Sequence, residues 1–250
     1  MSFFSLGFFA LVQGLTEFLP VSSSGHLLFF RTLFVSYNQP LVTDIILHAG
    51  SLLAIIYFFK DTIKKYLPKL ITPLVISTIP AGFVALAITD QIELLFGSPR
   101  FLFLSFSITT LILLIFSQLK WKKTNIQNIN YKKAFGIGLF QALAIIPGVS
   151  RSAATIFASK LFGLNASSTF SYAFIMAIPA ILGSILLSAV KLNFSSLALS
   201  ATNLLIIFFT SFIFSLLALN ILKQIIKKKN LQNFAFYTAA MAALSLALFV

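Results

Sequence analysis

The chain has 250 residues, of which 59% are apolar and only 9% charged, and it contains no cysteine. A water-soluble domain carries about 25% charged residues, so this composition excludes a soluble globular fold; it also excludes disorder, a disulfide scaffold and a thiolate metal site. The formal charge of +13 does not mark a nucleic-acid binder, because the lysines fall in three short clusters between apolar runs, the positive-inside pattern of a polytopic membrane protein.

Residues 3–30 form the first apolar stretch. Glu17, Pro20, Ser22, Ser23, Ser24 and His26 occupy its centre. An ionised group at mid-membrane costs roughly 2.5–3.5 kcal/mol on insertion scales. Irregular backbone at that depth survives only inside protein or against a wet cavity. The stretch therefore reads as a re-entrant hairpin of half-helix, polar turn and half-helix. The start Met1-Ser2-Phe3-Phe4 has no basic region and no small-residue cleavage site, so no signal peptide is expected.

A membrane helix needs about 20 apolar residues. Runs at 41–59, 70–89 and 101–119 are predicted spans. Lys60, Lys64, Lys65 and Lys69 follow the first; Lys120, Lys122, Lys123, Lys132 and Lys133 follow the third and fill the linker 120–133. Residues 134–165 hold Pro147, Gly148, Ser150, Arg151 and Ser152 at their centre and read as a second re-entrant hairpin. Spans at 168–190, 199–222 and 233–250 complete the chain, with Lys223, Lys227, Lys228 and Lys229 after the fifth. One orientation satisfies all three clusters: those loops face the cytoplasm and both termini face outward. Arg31, Arg100 and Lys191 are then the basic residues of the outer loops, and Asp61, Asp90 and Glu93 are also expected in loops.

The two hairpins resemble each other. Gln13-Gly14-Leu15 answers to Gln141-Ala142-Leu143, and Val21-Ser22-Ser23-Ser24-Gly25 to Val149-Ser150-Arg151-Ser152-Ala153, in both cases 128 residues apart. Repeat one (about 1–119) and repeat two (about 134–250) each carry one hairpin and three spans. Three is odd, so the second half inserts upside down. The fold class expected is an all-α polytopic membrane protein, a single domain over 1–250, with six transmembrane helices and two re-entrant hairpins in an inverted-topology repeat. Such repeats form a site from broken helices at their interface.

The polar residues of the turns suit chemistry. Gln13 and Glu17 lie four apart, on one helix face. A buried Glu needs a task or a partner; the plain alternative is a structural pairing, for instance with Arg151. Pro20 ends the first half-helix, and any of the serines after it suits an N-cap. Ser22 and Ser23 also lie within one turn of His26. A hydroxyl, an imidazole and a carboxylate within ten residues suit nucleophilic or acid–base work. In the second turn the hydroxyls and the free N–H groups from Ala153 through Thr155 make an anion site at a helix N-terminus. Arg151 adds a planar fork that matches phosphate oxygens. Asp44 and His48 share a face of the first span; Asp44 suits the outer membrane edge, and His48 the cavity wall.

The segments Gln13-Gly14-Leu15-Thr16-Glu17-Phe18-Leu19-Pro20-Val21-Ser22-Ser23-Ser24-Gly25-His26 and Pro147-Gly148-Val149-Ser150-Arg151-Ser152-Ala153-Ala154-Thr155 resemble those of the undecaprenyl pyrophosphate phosphatases of the bacitracin-resistance type. Leu47-His48-Ala49-Gly50-Ser51-Leu52-Leu53-Ala54 is similar to a third family segment. The resemblance implies removal of the terminal phosphate of undecaprenyl pyrophosphate at the outer face of the bacterial inner membrane. The product re-enters the carrier cycle for peptidoglycan synthesis, which gives bacitracin resistance. It implies a divalent cation, Mg²⁺ or Ca²⁺, held by Glu17 and the Gln13 carbonyl. Where the family motif carries Glu or Gln and then Glu, this chain has Gln13 and Glu17.

The expected catalytic residues are Glu17, Ser23, His26 and Arg151, and the expected diphosphate-binding residues Ser22, Ser150, Arg151, Ser152 and Thr155. Ser23 is the favoured nucleophile, with Ser22, His26 and water as alternatives. The expected partners are a polyprenyl diphosphate lipid and membrane lipids; a homodimer is left open. The competing function is a lipid-phosphate or anion transporter built on the same plan.

Overall fold

The computed structural model describes residues 3–34, 41–192, 200–228 and 231–250; Met1, Ser2 and Lys229, used in the reading above, lie outside them. The described residues are overwhelmingly helical and include no strand, only an isolated bridge between Thr124 and Leu164.

Helices α1 (Phe3–Phe18) and α2 (Ser23–Leu33) flank the first polar turn. Helices α5 (Tyr131–Leu143) and α6 (Arg151–Leu161) flank the second. At 1.5 Å per residue these four helices run about 16–24 Å, short of the ~30 Å hydrocarbon core. None of them crosses a bilayer alone.

The main departure from expectation is α3. It is one continuous helix, Leu41–Phe96, where two spans and a lysine loop were expected. Asp61, Asp90 and Glu93 fall inside it rather than in loops. The physical reason is local. The segment from Lys60 to Lys69 holds strong helix formers and no Gly or Asn to end a helix. Pro68, Pro73 and Pro80 remove N–H donors without ending it; the hydroxyl of Tyr172 donates to the Pro73 carbonyl at 3.0 Å. The apolar part, Leu41–Ile88, has 48 residues, about 72 Å of helix and more than twice the ~30 Å hydrocarbon core.

Helix α4 (Leu102–Gln118) follows a 3₁₀ turn at Pro99–Phe101. Helices α7 (Ala166–Ile175) and α8 (Ala177–Val190) meet at Met176, and α9 (Ala201–Lys227) and α10 (Gln232–Phe249) complete the chain. Among the described residues five segments are long and apolar enough to cross a membrane, α3 taking the place of two of the six expected. Only about a third or less of the most apolar 18-residue stretch of each is buried, 28–33%. The rest of their apolar surface, including Phe83, Leu86 and Ile213, faces outward, as it does in a helix solvated by lipid. The protein is an all-α, multi-pass membrane protein.

Lipid offers no hydrophobic drive between helices, so close backbone approach and interhelical hydrogen bonds do the packing. A Cβ on Gly14 of α1 would lie 2.7 Å from the Ser211 carbonyl of α9, and one on Gly50 of α3 only 2.5 Å from that of Phe208. The Ser215 hydroxyl donates to Ser51 at 3.0 Å, and that of Ser211 to the Leu47 carbonyl at 2.7 Å. This seam fixes the part of α1 that carries Gln13 and Glu17. The linker 120–133 is also anchored. The Ile126 amide donates to Ser168 Oγ at 2.9 Å. The buried Lys160 Nζ donates to the Phe116 carbonyl at 2.8 Å and lies 4.5 Å from the Trp121 ring centre.

Candidate functional site

The two polar turns meet. Pro20 follows the end of α1, and the chain reverses through Ser22, whose φ of 72° lies in the left-handed region. Its Oγ accepts the Gly25 amide at 3.2 Å and so caps α2. Ser150, 128 residues on, caps α6 in the same way, accepting the Ala153 amide at 3.2 Å. The matched sequence positions thus do matched work. Gly148 has φ +90° and packs so tightly that a Cβ would lie 2.6 Å from Ser105 Cβ; only glycine fits this conformation and approach. Its amide donates to Ser24 Oγ at 3.2 Å, and Ser152 Oγ donates to the Leu19 carbonyl at 3.0 Å. A Cβ on Gly25 would lie 3.1 Å from Gly148 Cα, so the turns touch backbone to backbone.

Glu17 is the centre of the junction. It is buried, and each carboxylate oxygen has its own partners. Arg151 Nη2 donates to Oε1 at 2.5 Å. Ser23 Oγ donates to Oε2 at 2.6 Å, and Gln13 Nε2 donates to the same oxygen at 2.9 Å. Three residues from three helices thus share one carboxylate. The Ser23 hydroxyl is half-buried and next to a base; Arg151 is a planar cation at the N-terminus of α6. Chemically this is an acidic group, a hydroxyl and an anion-binding fork within hydrogen-bond reach of one another.

The other expected residues divide differently. Ser22, Ser150, Ser152 and Thr155 are all buried, and their hydroxyls serve backbone groups: Thr155 Oγ1 donates to the Arg151 carbonyl at 2.9 Å. They build the turns that hold Arg151. The N–H groups expected free at Ala153 and Ala154 are taken up by the Ser150 hydroxyl and carbonyl, because capping satisfies the first orphan donors of a helix. His26 is buried one turn along α2 from Ser22 and Ser23. Its Nδ1 meets the Ser22 carbonyl at 2.7 Å and its Nε2 the Tyr237 hydroxyl at 2.6 Å. Asp44 pairs with Arg31. His48 joins the site: its Nδ1 lies 3.1 Å from Gln13 Nε2.

Three contributors carried no sequence signal of their role. Tyr237 comes from the last helix. Thr109 accepts the Ser150 amide at 3.0 Å, and the Ala177 carbonyl lies 3.4 Å from Arg151 Nη1. Each lies in an apolar span with no motif around it.

The residues around Glu17 suit a hard cation in one respect. Gln13 Oε1 is buried without a hydrogen-bond partner while its Nε2 is fixed by Glu17 and His48. An orphaned carbonyl oxygen beside a carboxylate is a competent pair of oxygen donors. Among the described residues no group of three or more His, Asp or Glu side chains that could hold a metal ion is present.

The family model described as Bacitracin resistance protein BacA matches residues 7–244. The undecaprenyl-diphosphatase of Thermosipho africanus is 37% identical over 246 residues, covering 94% of this chain and 96% of that protein. That of Thermosipho melanesiensis is 36% identical, covering 91% and 92%, and that of Methanococcus maripaludis 35%, covering 90% and 92%. The chain belongs to the BacA family of bacitracin resistance proteins.

Proposed function

We propose that this protein hydrolyses undecaprenyl diphosphate to undecaprenyl phosphate and inorganic phosphate, as the names of its relatives describe. The single observation that carries the reading is the shared carboxylate: Glu17 holds Arg151, Ser23 and Gln13 across the contact of the two turns. The polyprenyl tail stays in lipid while the diphosphate enters at the turns. Arg151 exchanges part of its contact with Glu17 for phosphate oxygens and stabilises the charge that develops in transfer. In the favoured route Glu17 takes the proton of Ser23 as its oxygen attacks the terminal phosphorus. The bond from that phosphorus to the bridging oxygen breaks, undecaprenyl phosphate leaves, and water then releases phosphate from the serine. His26 supplies acid–base work for the leaving oxygen and the water. A divalent cation, Mg²⁺ or Ca²⁺, would be held by Glu17, the Gln13 carbonyl and the diphosphate itself, and would neutralise phosphate charge.

The lysine clusters support a site open to the extracytoplasmic leaflet and termini on that same side, in a plasma membrane. The transporter reading is the less favoured one, since a carrier needs an anion site but no hydroxyl aimed at a carboxylate.

The test is phosphate release from undecaprenyl diphosphate by purified protein in detergent. Release that stops with a chelator and returns with Mg²⁺ or Ca²⁺ is the expected result. Passage of the lipid across vesicles with no phosphate released would overturn the proposal. Ser23→Ala separates the routes: a loss of about 10³-fold in kcat, with no phosphorylated residue trapped, is expected for a serine nucleophile. Full turnover in that variant would leave direct attack by water.

A further inference from the structure

Tyr237 lies 211 residues from His26 in sequence, yet its hydroxyl is 2.6 Å from His26 Nε2. The two ring planes are within 3° of parallel. On the other side of the imidazole, Nδ1 faces the carbonyl of Ser22 at 2.7 Å. A carbonyl only accepts, so Nδ1 carries the proton of the neutral ring, and Nε2 offers its lone pair to the tyrosine O–H. Phe106 meets the imidazole edge-on with centroids 5.4 Å apart, and prevents the ring from turning over. Both nitrogens of His26 are therefore committed. Nδ1 is tied to its own helix, which leaves Nε2, reached through Tyr237, as the nitrogen able to exchange protons. His26 is buried at 2% exposure whereas Tyr237 is 44% exposed.

We propose that Tyr237 is a positioning residue for the phosphatase reaction, acting through His26. Its hydroxyl holds the imidazole in one tautomer and one plane, with Nε2 as the basic nitrogen. A tyrosine hydroxyl is both donor and acceptor. The inference rests on the hydrolytic reading above.

Tyr237→Phe keeps the ring and removes only the hydroxyl. The expected result is a kcat for undecaprenyl diphosphate about tenfold lower, the scale of one hydrogen bond, with KM within about twofold because the diphosphate contacts of Arg151 are untouched. The chain has two histidines, so ¹⁵N-histidine labelling in detergent micelles gives a readable spectrum, with His26→Asn assigning the signals. The Nε2 signal of His26 should move towards that of a free imine nitrogen in Tyr237→Phe. Unchanged kcat in Tyr237→Phe, or a fall in kcat with the Nε2 signal unmoved, overturns this inference while wild-type turnover still upholds the phosphatase reading. Absence of wild-type turnover overturns both.

Discussion

Replacing Arg151 by alanine is expected to lower turnover of undecaprenyl diphosphate by about 10³-fold or more, the range seen for a donor that meets developing phosphoryl charge. The same substitution strips Glu17 of its cation. Breaking one side of a buried pair costs about 3–5 kcal/mol, so lost activity alone does not separate chemistry from folding. Two companions do. Arg151→Lys keeps the charge but not the planar fork that spans two acceptors; a loss of about 10²-fold is expected in a protein that still inserts and purifies. The double variant Glu17→Gln with Arg151→Met removes both charges, and buried pairs replaced together often leave stability unharmed. It should regain thermal stability in detergent relative to Arg151→Ala and remain inactive. Near-normal phosphate release from Arg151→Lys would remove the residue from the reaction.

Glu17→Gln is the second large effect. The amide keeps the shape and can still accept from Arg151. It cannot take the proton of Ser23, and it offers a cation one neutral oxygen in place of a carboxylate. A kcat loss of about 10²–10³-fold is expected, within the usual range for a general base, together with a higher divalent-cation concentration for half-maximal activity. Glu17→Asp retracts the carboxylate by one methylene. It cannot reach both Arg151, now at 2.5 Å, and Ser23, now at 2.6 Å, so it should retain charge and lose most of the rate. Turnover of Glu17→Gln within about twofold of wild type would show that the carboxylate serves packing only.

Much of this arrangement was legible in the sequence because polar residues in an apolar chain stand out. Glu17 and Arg151 were conspicuous, and the structure joins them, which was also the plain structural alternative for Glu17. The matched segments around Ser22 and Ser150 were legible in the sequence, and in the structure each serine caps the helix that follows it. The capping role itself was the ordinary option for any of those serines, and Ser22 and Ser150 take it, leaving Ser23 to face Glu17. What stayed hidden has a common cause. Tyr237 and Thr109 are unremarkable within apolar helices, and only tertiary packing brings them to His26 and Ser150. The continuity of α3 was hidden for another reason: lysines report which side of the membrane a segment favours, but they do not say whether its backbone breaks there. The orphaned oxygen of Gln13 needed coordinates, since an amide shows its free side only once its partners are known.

The contact of Gly25 with Gly148 has a mechanical consequence. A carrier that moves cargo between leaflets must prise such turns apart once per cycle. Here separation would strip partners from Glu17, Ser152 and the Gly148 amide together, and each such buried group left unpaired carries a desolvation cost. A carrier would have to break these contacts in every cycle, whereas hydrolysis at the junction asks for no such separation.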